Sequence, residues 1–334
     1  MNFRERLVAA WFSPRLTPLT ALLVPAAFAF RGATALRRAL YRHGLLRIER
    51  MPVPVVVVGN ITVGGSGKTP LTIALANELV HRGWRPGIVS RGYRARDTTL
   101  RAVGAGDHPD DVGDEPLLLA RTGVPVWVGA DRPAAARALL TVHRDCDVIV
   151  ADDGLQHYAL ARDVEIAVVD AGRGLGNGLL LPAGPLREPE ARLAQVDAIV
   201  RLGGSAVRSG RDFAMTLAGE RFLRVNSGGV TADAAAFRSG AVHALAGIGD
   251  PARFFAQLAS LGIAATCHPF PDHHRYTAAD LALPGATAIL MTEKDAVKCR
   301  TFADDRCWAL PVRAIVEPAF YALVERGLRG SKAA

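Results

Sequence analysis

Beyond residue 50 the chain alternates short runs of consecutive apolar residues with longer stretches in which apolar positions return every three or four residues. The short runs predict strands at 53–58, 87–90, 124–128, 148–151, 165–169 and 197–201. Because these runs are apolar at nearly every position, and not at every second one, they mark strands covered on both faces. The helical spacing predicts helices at 71–81, closed by Gly83, and at 133–143, with Asp131 as the cap. Strands separated by helices in this way build a doubly wound parallel sheet, an α/β fold.

The pattern changes after residue 212. Segments 213–217 and 221–225 alternate around Ala218-Gly219-Glu220 and read as a β-hairpin. Past it the pattern predicts a second, smaller α/β unit, with strands at 242–246, 263–266 and 288–292 and helices at 251–261 and 277–283. The expected organisation is an N-terminal segment 1–50, a phosphate-loop body 51–212, a hairpin linker 213–226 and a smaller C-terminal domain 227–334, frayed after Gly327. Residues 171–189, AGRGLGNGLLLPAGPLREP, are too rich in Gly and Pro and too numerous for a plain connector, and read as a functional surface loop.

Composition, 50% hydrophobic and 22% charged over 334 residues, is that of a folded globular protein. Charge is unevenly placed: nine Arg against two Glu in residues 1–50 carry seven of the eight excess positive charges, leaving 31 basic to 30 acidic residues elsewhere. This excludes a nucleic-acid-binding body and points the basic N-terminus at an anionic membrane surface. Residues 19–30, LTALLVPAAFAF, form an uncharged run of twelve, followed by Arg31, Arg37, Arg38, Arg42, Arg47 and Arg50. A spanning helix needs about 20 apolar residues. The run is therefore expected to dip into one leaflet, kinked at Pro25, while the arginines meet headgroups; the alternative is a helix packed on the protein's own core. A dense basic stretch in place of a small-residue cleavage site argues against a signal peptide. The cysteines Cys146, Cys267, Cys299 and Cys307 form no CxxC pair and read as reduced thiols in a cytosolic compartment.

The sharpest chemistry lies at 55–75, VVVVGNITVGGSGKTPLTIAL, an apolar strand entering a glycine loop and then a helix. Gly64, Gly65 and Gly67 let backbone N–H groups approach phosphates, Lys68 offers a charge to the β and γ oxygens, and Thr69 a hydroxyl to Mg²⁺. The usual pattern asks for glycine where Thr62 stands. A second nucleotide element is expected at the end of a neighbouring strand, and Val148-Ile-Val-Ala-Asp-Asp153 supplies it: Asp152 or Asp153 would hold Mg²⁺ directly or through water. A phosphoryl acceptor also needs its proton removed. Candidates are Asp114 and Glu115 before a helix starting near Pro116, Gln156 and His157 after the acidic pair, and His273 or His274 in Pro271-Asp-His-His274.

Taken together, GNITVGGSGKTP at 59–70, SRGY at 90–93, VGDEPLLLA at 112–120, DDGLQH at 152–157, GLGNGLLLPAGPLREP at 174–189, HPFPDHH at 268–274 and MTEKDAVK at 291–298 resemble, in content and order, the tetraacyldisaccharide 4′-kinase family of lipid A biosynthesis. The resemblance runs from the N-terminal segment to about Val312. It implies a kinase of the P-loop type that moves the γ-phosphate of ATP, with Mg²⁺, to the 4′-hydroxyl of a tetraacylated disaccharide 1-phosphate at the cytoplasmic face of the bacterial inner membrane. No nucleic acid or obligate protein partner is implied. Residues Thr62, Val63, Gly64, Gly65, Ser66, Gly67, Lys68 and Thr69 match the family's ATP loop, so Thr62 is in character. Asp114 matches the general base and His273 its partner, with His274 as the alternative. Thr69, Glu115 and Gln156 match positions near Mg²⁺, and Asp152 and Asp153 the acidic pair; which of Asp152, Glu115 and Gln156 ligates directly stays open. Arg187 and Glu188 fall in a loop expected to meet substrate.

Another class of reading is a membrane-associated P-loop switch acting on a protein partner. Thr292-Glu-Lys-Asp295 stands near the guanine-recognition order N/T-K-x-D, but lysine follows glutamate, so it reads as a decoy. A membrane-partition ATPase would carry lysine where Val63 stands.

Overall fold

In the computed structural model, which describes residues 3–13, 15–93, 99–104, 106–204, 210–227 and 229–332, the apolar runs lie side by side. Strands β1 (Val55–Gly59), β2 (Pro86–Ser90), β3 (Arg101–Ala102), β4 (Val126–Val128), β5 (Val148–Asp152), β6 (Val164–Asp170), β7 (Ala198–Leu202) and β8 (Asp212–Ala218) share a nine-stranded sheet with β15 (Arg313–Val316). The order is β15-β8-β7-β6-β1-β5-β2-β4-β3. All neighbours from β8 to β4 run parallel, while β15 and β3 close the edges antiparallel. The helices are α1 (Phe3–Trp11), α2 (Pro18–Arg42), α3 (Lys68–His81), α4 (Pro109–Val112), α5 (Asp114–Ala120), α6 (Arg132–Val142), α7 (Pro251–Ser260), α8 (Glu293–Cys299) and α9 (Pro318–Lys332).

The uninterrupted apolar runs have the expected cause. Val56 and Val58 of β1 pack with Leu71 and Leu75 of α3 and with Phe320, Val324 and Leu328 of α9, whereas Val55 and Val57 pack with Ala136 and Leu139 of α6 on the opposite face. Burying one such Val or Leu contributes roughly 1.5–3 kcal/mol. A second sheet, in the order β10-β9-β14-β13-β11-β12, is formed by β9 (Arg221–Arg224), β10 (Thr231–Asp233), β11 (Val242–Ala246), β12 (Thr266–Pro269), β13 (Ala288–Thr292) and β14 (Cys307–Leu310). Its strand at 266–269 follows the predicted segment 263–266 instead of coinciding with it, and the predicted helix 277–283 is a single short turn at Ala278–Leu281.

The hairpin expected at 213–226 is absent. β8 pairs with β7 and β15 in the first sheet, and β9 with β10 and β14 in the second. Alternation around a Gly-containing turn misled because the chain leaves one sheet here for the other. A Cβ on Gly219 would stand 2.1 Å from the Pro311 carbonyl oxygen, so the outgoing connection passes the returning one at glycine distance. The smaller unit is accordingly an insertion, and the expected boundary 227–334 is corrected: β15 and α9 return to the first sheet. The tail expected to fray after Gly327 is helical to Lys332, with Leu328 fully buried, and residues 333–334 lie outside the described residues.

The apolar run at 19–30 also belongs to a longer element. α2 has 25 residues, enough by length and composition to cross a membrane, with Pro25 inside it. Its second half is docked on the protein: Phe30 packs on the core, Arg37 donates to the Gln156 carbonyl at 3.0 Å and Arg38 to the Gln195 side chain at 2.6 Å. Its other face leaves Leu22, Phe28 and Leu36 exposed.

Candidate active site

The phosphate loop forms where β1 ends. Gly67 adopts φ 84°, a left-handed conformation that glycine takes without penalty, and it opens α3 so that Lys68 and Thr69 stand at the helix N-terminus. The Asn60 amide donates to Ser66 Oγ at 3.0 Å across the loop. The 171–189 loop is stitched to it by Val63 N–H to the Pro185 carbonyl, 2.8 Å, and Arg187 N–H to the Ile61 carbonyl, 2.7 Å. These bonds bring Arg187 and Glu188, expected from the resemblance in a loop that meets substrate, beside the phosphate loop. The same loop holds the N-terminal segment: Trp11 Nε1 donates to the Pro182 carbonyl at 2.9 Å, and the Arg173 guanidinium lies 4.0 Å over the Phe12 ring.

At the end of β5, Asp152 is buried and accepts from Thr72 Oγ1 at 3.0 Å and Ser90 Oγ at 3.4 Å. Burial, with the negative charges of Glu115 and Asp153 nearby, raises its pKa to about 7 against the pull of Lys68 and Thr72. Burial would also raise Asp153, but Lys68 and Arg187 hold that carboxyl well below the usual range. Lys68 Nζ lies 3.7 Å and Arg187 Nη1 3.1 Å from it. Asp153 sits at φ 48°, strained for a residue with a side chain. A buried carboxylate pressed by two like charges suits a divalent cation, and Thr69 adds a hydroxyl to the same wall. Among the described residues no three or more His, Cys, Asp or Glu side chains converge as a metal cage. Mg²⁺ beside a nucleotide asks for none, because phosphates and water complete its shell. Glu115 is engaged by Lys294 at 3.1 Å, and the Gln156 amide by the Asn60 carbonyl at 3.0 Å and Glu188 at 2.8 Å.

A cluster of Asp114, His273 and Lys294 is assembled across the two sheets. Asp114 opens α5, and its Oδ2 lies 3.1 Å from His273 Nδ1. Among the described residues His273 is, with Asp153, one of two non-glycine residues held at positive φ, here 61°, between β12 and the turn that follows. His274 turns away, stacked on Phe270 and 3.4 Å from Asp280. Of the two histidines left open by the sequence, His273 is therefore the one beside Asp114. Burial pushes Asp114 up, yet the His273 hydrogen bond and the charges of Lys294 and Lys298 outweigh it and leave the pKa at about 2. Lys294 and Lys298 carried no role in the sequence reading. The phrase read as a decoy, Thr292-Glu-Lys-Asp295, is the start of α8, which packs on α5 and delivers Lys294 to within 3.9 Å of Asp114 Oδ2. A basic residue one helical turn before Lys298 was the available signal.

Both halves meet in one cleft of about 980 Å³. Its wall includes residues 63–69, Glu115, Asp153, His273 and Lys294, together with Leu7, Trp11 and Phe30 of the N-terminal segment. Asp114 and Asp152 stand just behind that wall, 7% and 1% exposed, and Thr62 is buried under the loop. Gln156, His157, Arg187 and Glu188 line its side. Burial above all, with the charges of Arg132, Arg91 and Arg37 against that of Asp153, lowers His157 to about 4. The second sheet closes the cleft from above. Arg173 donates to the Gly249 carbonyl at 3.1 Å, Arg253 pairs with Asp170, and a Cβ on Gly249 would stand 2.6 Å from Gly65 N.

This geometry has relatives. The sequence profile of the tetraacyldisaccharide-1-P 4′-kinases matches residues 19–329. The chain is 51% identical over 330 residues to the tetraacyldisaccharide 4′-kinase of Dechloromonas aromatica (strain RCB), covering 97% of each chain. It is 54% identical over 302 residues to that of Azoarcus sp. (strain BH72), covering 89% of this chain and 88% of the other. The crystal structure of LpxK from Aquifex aeolicus in complex with ATP superposes with a TM-score of 0.77 at 29% identity, covering 93% of this chain and 99% of that one. A P-loop cleft backed by an Asp–His pair, matched by profile, sequence and fold over nearly the whole chain, places this protein in the tetraacyldisaccharide 4′-kinase family.

Proposed function

We propose that the cleft transfers the γ-phosphoryl group of ATP to the 4′-hydroxyl of a tetraacyldisaccharide 1-phosphate with the following division of labour. Backbone N–H groups of residues 63–69 and the Lys68 ammonium hold the phosphates. Thr69 and Asp152 would hold Mg²⁺, which supplies charge neutralisation on the phosphate oxygens, and Asp153 keeps Lys68 in place at 3.7 Å. Asp114 takes the hydroxyl proton, oriented by His273. An aspartate at about 2 is a weak base, so the proton moves late, once the phosphoryl group has begun to bond. Arg37, Arg91 and Arg187, on the side of the cleft where His157 sits, meet the substrate's own phosphate. The exposed apolar face of α1 and α2 lies in the cytoplasmic leaflet of the inner membrane, from which the acylated substrate cannot leave.

The observation that carries this reading is that the phosphate loop and His273, with Asp114 hydrogen-bonded behind it, line one cleft together with the apolar N-terminal segment. The test is transfer of labelled γ-phosphate to tetraacyldisaccharide 1-phosphate in mixed micelles. Labelled bisphosphorylated lipid is expected; ATP hydrolysis without lipid product would overturn it. Flotation with anionic vesicles checks the anchor, and Leu22→Glu with Phe28→Glu should leave the protein unbound.

A further inference from the structure

Lys294 occupies a position that acid–base transfer by Asp114 alone does not require. Its Nζ lies 3.4 Å from His273 Nε2, 3.1 Å from Glu115 Oε1, and 3.9 Å and 3.7 Å from Asp114 Oδ2 and Asp272 Oδ1. An ammonium has three N–H donors and no lone pair, so the contact with Nε2 exists only if that nitrogen is the acceptor. A doubly protonated imidazolium would repel the ammonium at that distance. On the other side of the ring, Nδ1 faces an ionised carboxylate at 3.1 Å, which can only accept. These two contacts fit the same ring, neutral with its proton on Nδ1, and the Asp272 carboxylate, 3.7 Å from Nε2, stands beyond hydrogen-bond distance.

We propose that Lys294 is a positioning residue that fixes His273 as the Nδ1–H tautomer and thereby assigns proton acceptance to Asp114. The inference rests on the kinase reading and deepens it. With Nε2 capped by Lys294 and Nδ1 already carrying a proton, the imidazole has no free site for the hydroxyl proton. The O–H bond of the acceptor breaks, its proton passes to a carboxylate oxygen of Asp114, and the oxygen bonds to phosphorus as the bond to ADP breaks. His273 keeps its proton throughout. Lys298, 2.8 Å from Asp295 and 4.0 Å from Asp114, adds charge without touching the ring. Since Lys294 comes from α8 and Asp114 from α5, the tautomer is set only when the two sheets are together. The Arg121–Glu293 ion pair, 2.7 Å, clamps the same two helices beside it.

The test combines two measurements on full-length protein in micelles. Long-range ¹H–¹⁵N spectra of ¹⁵N-histidine-labelled protein, with His273→Gln to assign the signal, report which ring nitrogen is protonated. Wild type and Lys294→Arg are expected to show Nδ1–H, and Lys294→Met a mixture of tautomers. In lipid phosphorylation Lys294→Met should lose roughly 10²-fold in kcat with the ATP KM nearly unchanged, and Lys294→Arg should recover most of it. A wild-type His273 protonated on Nε2, or a Lys294→Met that keeps both tautomer and kcat, overturns the proposal. If Lys294→Met does not fold, the wild-type and Lys294→Arg spectra still decide. Failure of wild type to phosphorylate the lipid would refute the kinase reading instead, and leave the tautomer to be judged by the spectra.

Discussion

The phosphate half of the cleft takes its groups from one stretch, residues 62–69 where the chain passes from β1 into α3, and from Asp152 and Asp153 at and just past the end of the neighbouring β5. The acid–base half takes Asp114 from a helix on the first sheet and His273 and Lys294 from the second, 159 to 180 positions further along the chain. One half is a local conformation that a few glycines and a helix start impose; the other exists only as a tertiary contact. The difference shows in charge as well. Asp152 is pushed up to about 7 by burial among like charges, whereas Asp114 is drawn down to about 2 by the groups the other sheet brings.

Loss of the phosphate half should do the greatest damage. Lys68→Ala is expected to abolish transfer, roughly 10³-fold or more, in the labelled-phosphate assay, and retention of several per cent would remove Lys68 from the phosphates. Asp114→Ala comes next, lowering kcat by roughly 10² to 10⁴-fold while calorimetry finds ATP binding unchanged. An equal loss of ATP affinity would mean that the two halves are not separable. Gly249→Ala attacks the seam between them. Its new Cβ would meet the Gly65 backbone at 2.6 Å, so the sheets must part, and both kcat and the ATP KM should worsen by about tenfold. An unchanged KM would show that the phosphate half tolerates the other's displacement.

The smallest effect is on stability against pH, and the two halves oppose each other. Asp152 has a folded pKa raised above 3.8, so its stabilising share is full below 3.8 and is lost as pH rises toward about 7. Asp114 has a folded pKa depressed from 3.8, so its share is full above 3.8 and is lost as pH falls toward about 2. Melting temperatures of the nucleotide-free protein across these windows should decline in the upper one for wild type and stay flat for Asp152→Asn. Saturating Mg²⁺-ATP should flatten wild type too.

Legibility follows the same division. The phosphate loop was readable to the residue because its glycines, lysine and threonine are adjacent in sequence and its strand is apolar at every position. Asp152 and Asp153 could be placed near that loop because a short acidic motif closes the neighbouring apolar strand, whereas Arg187 and Glu188 were expected, from the resemblance, only in a loop that meets substrate. His273 could be narrowed to one of two neighbours; only the fold shows His274 turned to Asp280. Lys294 was present in a recognisable phrase but without a task, since helix α8 has just seven residues and no periodicity strong enough to say what its first turn faces. The false hairpin failed for a related reason. Alternation reports that a strand has one covered face, not which sheet covers it, so β8 and β9 looked like partners while belonging to different sheets.

The return of the last residues to the first sheet sets an order of events during synthesis. Phe320, Val324 and Leu328 of α9 seal the face of β1 behind the phosphate loop, so that core stays open until α9 has been made. The apolar α1 and α2 are made ahead of everything they will later be docked on. A nascent chain therefore carries the apolar face of α2 before it has a closed phosphate-loop core. A messenger truncated ahead of Pro318 should yield a polypeptide that still finds the membrane but is cleared by proteases, and no active fragment should accumulate away from its lipid.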